Sequence, residues 1–231
     1  MNSNLKKLLL CAAGLFTATL CAAQKPADWA NFGRFEADNA ALTAAPKVVL
    51  MGNSITEGWI GKHPEFFSSH GYVSRAISGQ TTSQMLVRFR ADVVELQPQV
   101  VVICAGTNDI AQNTGYISLE HILDNLQSMV DLARAHGIRP ILCSVPPTGD
   151  FPWNPGLEPA PKIIRLNEMI KAYADEEGIP YVDYHTQMAA EDGSMIAAYT
   201  NDGVHPTEAG YVVMERILPP VVEQVLAEIG R

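Results

Sequence analysis

The amino-acid sequence predicts an α/β fold built on a doubly wound sheet of five parallel strands. Short apolar runs rich in β-branched residues alternate with longer amphipathic segments, the pattern of strands joined by helical crossovers. The run Val100 to Cys104 is apolar at every position, as expected for a strand that helices cover on both faces. Polar turn residues follow several strands, so we expect ligands to bind at the carboxyl edge of the sheet.

Strands and helices can be assigned in chain order. The predicted strands are Val48 to Met51, Gly71 to Ala76, Val100 to Cys104, Pro140 to Val145 and Pro180 to Asp183. The predicted helices are Asp28 to Leu42, Thr82 to Leu96, Leu119 to His136, Pro161 to Glu177 and Thr207 to Ile229. Gly137 and Gly178 follow two of these helices at the position where glycine commonly ends a helix.

The first 23 residues have the pattern of a secretory signal peptide. Lys6 and Lys7 precede an apolar stretch that ends at Leu20 and is followed by Cys21-Ala22-Ala23. The stretch is shorter than the roughly 20 residues of a membrane-spanning helix. We predict cleavage after Ala23 and export to the periplasm or the medium. A lipoprotein anchor on Cys21 is an alternative, which the preceding residues disfavour.

Residues 24–231 are predicted to form a single domain, because 208 residues with this composition suffice for one substantial core. The net charge of -9 disfavours binding to nucleic acid, which requires clustered cations. Without the signal peptide only Cys104 and Cys143 remain, both in strand-like runs. We expect buried free thiols, although an exported protein could join them in a disulfide. No Cys/His spacing indicates zinc.

Two separated turns carry the residue types of nucleophilic catalysis. Ser54 follows the first strand, and His205 near the carboxyl terminus is a candidate base that could remove the serine proton. Asp202 lies three residues before His205 and could orient its ring. Taken singly, Asn53 or Ser54 reads as the cap of a following helix, and the Asp202 to His205 segment reads as a turn before a helix. Their expected convergence at one sheet edge favours the catalytic interpretation.

Four short blocks then show a family resemblance. They are Gly52-Asn53-Ser54-Ile55-Thr56, Ser78-Gly79-Gln80-Thr81, Gly106-Thr107-Asn108-Asp109 and Asp202-x-x-His205-Pro206. In order and spacing they resemble the signature blocks of the SGNH/GDSL hydrolases. The sequence departs from the family pattern at Asn53, where the family name has aspartate.

The resemblance implies a flavodoxin-like three-layer α/β/α fold with neither a metal nor an organic cofactor. It also implies a catalytic triad of Ser54, Asp202 and His205. The oxyanion hole would comprise the backbone N–H groups of Ser54 and Gly79 and the side-chain amide of Asn108.

The substrate is predicted from weaker signals. Export, an acidic surface and the absence of an extended apolar stripe favour short acyl groups, such as acetyl esters on carbohydrates, over lipids. Alternatives are a lysophospholipase or lipase, a glycan-binding module without catalysis and, least favoured, a nucleotide binder. Oligomeric state is not predicted. The residues proposed to contact substrate are Asn53, Glu57, Trp59, Phe151 and Trp153. The last two lie in a proline-rich segment from Pro146 to Pro161, which reads equally as a rim or lid or as an ordinary crossover.

Overall fold

The computed structural model describes residues 28–230, which form one five-stranded parallel sheet with helices on both faces. The predicted signal peptide lies outside the described residues. The strands are β1 (Val48–Gly52), β2 (Tyr72–Ala76), β3 (Val100–Ile103), β4 (Arg139–Cys143) and β5 (Tyr181–Val182). Their order across the sheet is β2-β1-β3-β4-β5, with every pair parallel. The predicted three-layer α/β/α fold is thereby confirmed.

The described helices account for the remaining layers. They are α1 (Glu36–Ala40), α2 (Ser54–Lys62), α3 (Pro64–His70), α4 (Thr82–Asp92), α5 (Thr107–Ile110), α6 (Leu119–Ala135), α7 (Pro159–Glu176), α8 (Tyr184–Met188) and α9 (Glu208–Ile229). Short 3-10 turns cover Phe32–Arg34, Val94–Leu96 and Ala197–Tyr199. None of the helices within residues 28–230 combines the length and apolar composition that crossing a membrane requires.

Alternating residues of each strand feed two separate cores. Val49 and Met51 pack with α4, α6 and α7, whereas Val48 and Leu50 pack with α2, α3 and α9 on the opposite face. Successive side chains of a strand point to opposite faces, so burial on both sides requires the uninterrupted apolar runs seen in the sequence. Helices therefore cover both faces of the sheet, and its carboxyl edge remains for the loops that carry the candidate site residues.

The predicted helix from Asp28 to Leu42 is wrong. Asn31 has a left-handed backbone with φ +57°, and the Asp28 carboxylate accepts a hydrogen bond from the Gly33 N–H, so the chain turns instead. Only the short helix α1 forms in this region. The helix predicted to reach Leu96 also ends earlier, because the backbone at Val93 leaves helical geometry.

The other predicted elements are present with shifted ends. Helix α7 begins at Pro159, since proline is accommodated in the first turn of a helix. The helices α2, α3, α5 and α8 lie between the predicted elements and were not predicted. Cys104 and Cys143 are free, buried thiols at the carboxyl ends of neighbouring strands.

Candidate active site

Ser54 lies where strand β1 turns into helix α2. The strand ends at Gly52, and a Cβ atom there would lie 2.8 Å from the Thr56 Cβ, so a side chain does not fit. Asn53 starts the helix, because its Oδ1 accepts a hydrogen bond of 3.0 Å from the Ile55 N–H. Ser54 is consequently the first residue of α2, half-buried at the carboxyl edge of the sheet.

Asp202 and His205 share a turn just before α9. One carboxylate oxygen of Asp202 accepts hydrogen bonds from the backbone N–H groups of Val204 (2.9 Å) and His205 (2.7 Å). The hydroxyl of Thr200 accepts from the Gly203 N–H and donates to the His205 carbonyl, at 2.9 Å each. These contacts fix the turn and leave the second oxygen of Asp202 free to meet the imidazole.

The structure brings the three predicted side chains together. Asp202 Oδ2 lies 2.6 Å from His205 Nδ1, and His205 Nε2 lies 2.9 Å from Ser54 Oγ. A carboxylate can only accept, so Nδ1 carries the proton and Nε2 has a lone pair that faces the hydroxyl. Ser54 therefore donates its hydrogen bond to the atom that would remove its proton.

Asp202 is held in its ionised form. Burial alone would raise the pKa of its carboxyl, but hydrogen bonds from the His205 ring and from the backbone of His205 and Val204 outweigh burial and lower this pKa to about 2. The carboxylate is thus charged throughout the neutral range and can stabilise an imidazolium at His205.

Gly79 lies in the loop after β2, the strand beside β1. Its backbone has φ +77°, a conformation that favours glycine. Within the described part of the chain, the Gly79 N–H has no hydrogen-bond acceptor, while its carbonyl accepts from Asn113 Nδ2 at 3.0 Å. The free N–H is available to a ligand oxygen.

Asn108 follows β3, the strand on the other side of β1. Its side chain is 3% exposed and donates one Nδ2 hydrogen to the Gln80 carbonyl at 2.9 Å. An amide nitrogen carries two hydrogens, so a second donor remains. Strands β2 and β3 flank β1, and the contact of Asn108 with Gln80 brings the loops after these two strands together beside the strand that leads into Ser54.

Asp109 ties the two flanking loops together. Its carboxylate accepts from the Thr82 N–H at 3.0 Å and from the Thr82 hydroxyl at 2.5 Å. Burial raises the pKa of Asp109 to about 6, although the hydrogen bonds from Thr82 act in the opposite direction. Asp109 holds the start of α4 through Thr82, and Asn108 holds the Gln80 carbonyl. Together these contacts restrain the loop that carries Gly79.

Glu57 is a support for the same loop. Its carboxylate accepts hydrogen bonds from the Ser78 N–H, at 2.7 Å, and from the Ser78 hydroxyl, and it pairs with Arg34 at 3.5 Å. These contacts connect α2, which carries Ser54, to the residue before Gly79. The predicted contact of Glu57 with substrate stays a prediction.

Three other predictions of substrate contact are wrong, because the side chains concerned are buried. Trp59 is 1% exposed, stacks with Tyr211 and donates to Glu215 from its indole N–H at 2.9 Å. Asn53 is 2% exposed and serves as the cap of α2. Phe151 is fully buried in the core beneath Trp153. Burial of these side chains leaves no surface for a ligand.

Trp153 differs from these residues because its side chain remains accessible. It is 45% exposed, and its ring centre lies 6.2 Å from that of His205. The indole N–H donates to Asn113 Oδ1 at 3.0 Å. The proline-rich segment thus packs inward through Phe151 and supplies a rim through Trp153. Asn113, which holds both Trp153 and Gly79, was missed because nothing in its local sequence marks it.

The arrangement suits attack of a hydroxyl on a polarised carbon. An imidazole faces the hydroxyl, a carboxylate faces the imidazole, and the loops after the two neighbouring strands carry free N–H donors. Among residues 28–230, no group of three or more His, Cys, Asp or Glu side chains could hold a metal ion.

Comparison with known proteins points in the same direction. The model of the family "GDSL-like Lipase/Acylhydrolase" matches residues 50–213. An acylhydrolase-like protein of known structure from Bacteroides fragilis is 49% identical with a TM-score of 0.84, covering 86% of this chain and 99% of that one. A GDSL-like lipase from Bacteroides thetaiotaomicron is 48% identical with a TM-score of 0.82, covering 84% and 98%. The esterase TesA of Pseudomonas aeruginosa is 28% identical, covering 76% of this chain and 88% of that protein.

Proposed function

This chain belongs to the GDSL-like lipase/acylhydrolase family and is a serine hydrolase that acts on esters, and on that basis we propose that Ser54, His205 and Asp202 are its catalytic triad. We further propose that it is an exported esterase that removes short acyl groups, such as acetyl, from carbohydrates. The observation that carries the first proposal is the unbroken chain of contacts from Asp202 Oδ2 through His205 to Ser54 Oγ.

In the proposed reaction, Ser54 Oγ attacks the carbonyl carbon of the ester while His205 Nε2 takes the hydroxyl proton. The carbonyl oxygen becomes an oxyanion, which the N–H groups of Ser54 and Gly79 and the amide of Asn108 stabilise. Collapse of this intermediate breaks the bond to the alcohol, which leaves with the proton from His205. Water then attacks the acyl-serine with the same base, releasing the acid and restoring Ser54.

The free donors support this oxyanion hole. The Gly79 N–H has no acceptor within the described residues, and Asn108 retains a second amide hydrogen. The carbonyl oxygens of Gly79 and Gln80 accept hydrogen bonds from Asn113 and Asn108, respectively, which restrain the loop on the carboxyl side of the Gly79 N–H. Donors fixed before the reaction cost no reorganisation when negative charge develops.

The surface beside the site favours a polar alcohol over a long lipid. The groove that contains Gly79 and Trp153 is lined largely by amide side chains rather than by aliphatic ones. A long acyl chain requires apolar walls, because burying polar groups without partners is costly. The lysophospholipase or lipase alternative therefore has less support. A glycan-binding module without catalysis has less support still, because the chain belongs to a family of ester hydrolases.

Export is proposed on the sequence of residues 1–23 alone. Mass spectrometry of the protein from cell fractions tests this proposal. A polypeptide that begins at Gln24 supports cleavage after Ala23, whereas a membrane-bound form with a lipid-modified Cys21 supports the lipoprotein alternative. A cytosolic product that retains Met1 contradicts both.

Labelling with a fluorophosphonate probe tests the catalytic proposal. We expect rapid labelling of the wild type, none of Ser54→Ala, and wild-type labelling of the control Ser69→Ala, which alters an exposed serine on α3. Hydrolysis of p-nitrophenyl esters from acetate to palmitate then measures acyl preference. Persistent labelling of Ser54→Ala would exclude this nucleophile, and faster cleavage of palmitate than of acetate would exclude the short-acyl proposal.

A further inference from the structure

A shallow groove of about 460 Å³ begins beside the candidate active site. Gly79 and Trp153 both line this groove. The Gly79 N–H is free, and the Trp153 ring lies next to that of His205. Its walls carry the side chains of Gln84, Gln112, Asn113, Thr114, Trp153 and Asn154. This volume falls within the range of small-molecule sites, about 300 to 1,000 Å³.

The chemistry of the walls restricts the ligand. None of the described residues that line the groove is ionisable, so the groove offers no partner for a phosphate or a carboxylate. The net charge of -9 further disfavours an anionic ligand. Amide groups, in contrast, both donate and accept hydrogen bonds, which matches a ligand rich in hydroxyl groups. Within residues 28–230, the side-chain amide of Gln112 has no protein partner and can serve such a ligand.

Trp153 supplies the apolar part of the groove. Its indole is 45% exposed, packs on the buried Phe151 ring, and is held by the hydrogen bond to Asn113. A rigid aromatic face can pack against the C–H face of a sugar ring while the hydroxyl groups on the ring edge reach polar partners. An aromatic side chain that is exposed yet fixed loses little conformational freedom on binding.

Asn113 links this aromatic face to the reaction site. Its Oδ1 accepts from the Trp153 indole N–H, and its Nδ2 donates to the Gly79 carbonyl, at 3.0 Å each. The indole can only donate and the carbonyl can only accept, so the orientation of the Asn113 amide is fixed by its partners. One side chain therefore sets the distance between Trp153 and the peptide at Gly79.

We propose that this groove binds the neutral sugar ring that carries the ester, with Trp153 as its stacking face and Asn113 as a positioning residue that aligns Trp153 with the Gly79 N–H. This inference rests on the proposed esterase function and specifies its alcohol component. The ester carbonyl would lie at Gly79, and the ring would extend over Trp153 toward Gln112.

Two substrates with the same acyl group separate this inference from the proposed function. An acetylated neutral sugar, such as xylobiose acetate, uses the groove, whereas p-nitrophenyl acetate has a planar leaving group without hydroxyls. We expect Trp153→Ala to lower the ratio of kcat/KM for the sugar acetate over that for p-nitrophenyl acetate about 10-fold, mainly through KM. Trp153→Phe should restore part of the ratio. The control Tyr116→Ala changes an aromatic residue that is 80% exposed outside this groove, and its ratio should equal the wild-type value.

Variants at Asn113 test its two contacts. Asn113→Asp keeps an acceptor for Trp153 but loses the donor to the Gly79 carbonyl, so we expect lower kcat on both acetates with the substrate ratio retained. Asn113→Ala loses both contacts, so kcat and the ratio should both fall. If Asn113 were only structural, both variants would change kcat and the substrate ratio in the same way. Thermal melts check that both proteins are folded.

Activity on the two acetates distinguishes failure of the esterase proposal from failure of the sugar-site proposal. If the wild type cleaves neither acetate, the proposed short-acyl esterase function fails. If it cleaves p-nitrophenyl acetate but Trp153→Ala leaves the ratio unchanged, the sugar site is refuted and the esterase stands. A wild type that prefers an acetylated uronic acid or a lysophospholipid to the neutral sugar acetate would also refute the inference.

Discussion

Replacing Asp202 with asparagine should inactivate the enzyme while leaving its fold intact. Asp202 Oδ1 accepts from two backbone N–H groups, a position that only an acceptor can fill, so the oxygen of the new amide must occupy it. The amide nitrogen then faces His205 Nδ1. Because this nitrogen can only donate, Nδ1 must become the acceptor and the ring proton must move to Nε2. The ring then presents a donor to Ser54 and can no longer remove its proton.

The expected loss of kcat follows from the change of tautomer at His205, which can then no longer act as a base. In serine hydrolases with the same geometry, a wrong tautomer reduces kcat about 10,000-fold, equivalent to roughly 5.5 kcal/mol in activation free energy. The effect on stability should be far smaller. The Asp202 side chain is 40% exposed, and solvent screens the lost ion pair, so we expect a change of at most about 1 kcal/mol in the free energy of unfolding.

Steady-state hydrolysis of p-nitrophenyl acetate and urea unfolding measure these two quantities. Asp192→Asn is a matched control, because Asp192 also caps a turn, accepting from the Ser194 N–H at 2.9 Å and from its hydroxyl at 2.6 Å, without contacting His205. The control should retain wild-type kcat. A loss below about 10-fold in Asp202→Asn would refute the tautomer argument, and an unfolded variant would refute the claim that the turn tolerates the amide.

Three further perturbations have expected outcomes. Asn108→Ala should lower kcat about 100- to 1,000-fold, the usual effect of losing one oxyanion donor, and unchanged turnover would remove Asn108 from the site. Arg88→Ala should cost about 3 to 5 kcal/mol in urea unfolding, because it removes the cation that lies 2.9 Å from the carboxylate of Asp92, which is 1% exposed. The double change Arg88→Met with Asp92→Leu should cost less, and equal losses would contradict this explanation. Burial lowers the pKa of His63, but hydrogen bonds to Glu208 and Glu215 outweigh it and raise the pKa above 6.5. The stability that protonated His63 contributes should therefore be complete below pH 6.5 and disappear as the pH rises through its raised pKa. The Tm difference between wild type and His63→Gln should shrink with increasing pH, and a constant difference would rule out this linkage.

The sheet could be predicted from sequence because both of its faces are buried. Strand β3 has no polar position, and a run of that kind has few alternatives in an α/β chain. The start of the described chain could not be predicted in the same way. Residues 28–42 have helical composition, yet the left-handed Asn31 and the contact between Asp28 and Gly33 depend on local geometry that periodicity does not register.

The substrate contacts show a second limit of sequence reasoning. Ser54, Glu57 and Trp59 are close in sequence, but on a helix of about 3.6 residues per turn a side chain five positions away points about 140° aside, whereas one three positions away lies about 60° aside. Trp59 accordingly enters the core, and Glu57 stays near Ser54 and reaches Ser78. Recognising helix α2 in the sequence would have separated these two roles.

The loop that carries Gly79 explains why a site assembled from distant segments can have fixed geometry. Each of its residues is held by a side chain from another part of the fold. Ser78 is held by Glu57 of α2, the Gly79 carbonyl by Asn113, the Gln80 carbonyl by Asn108 and the Gln80 side chain by Arg88 at 2.6 Å. A loop restrained through its carbonyl groups and side chains directs its one free N–H in a constant direction. The polar residues around the proposed nucleophile therefore support catalysis chiefly by removing the freedom of this loop, which local sequence patterns do not reveal.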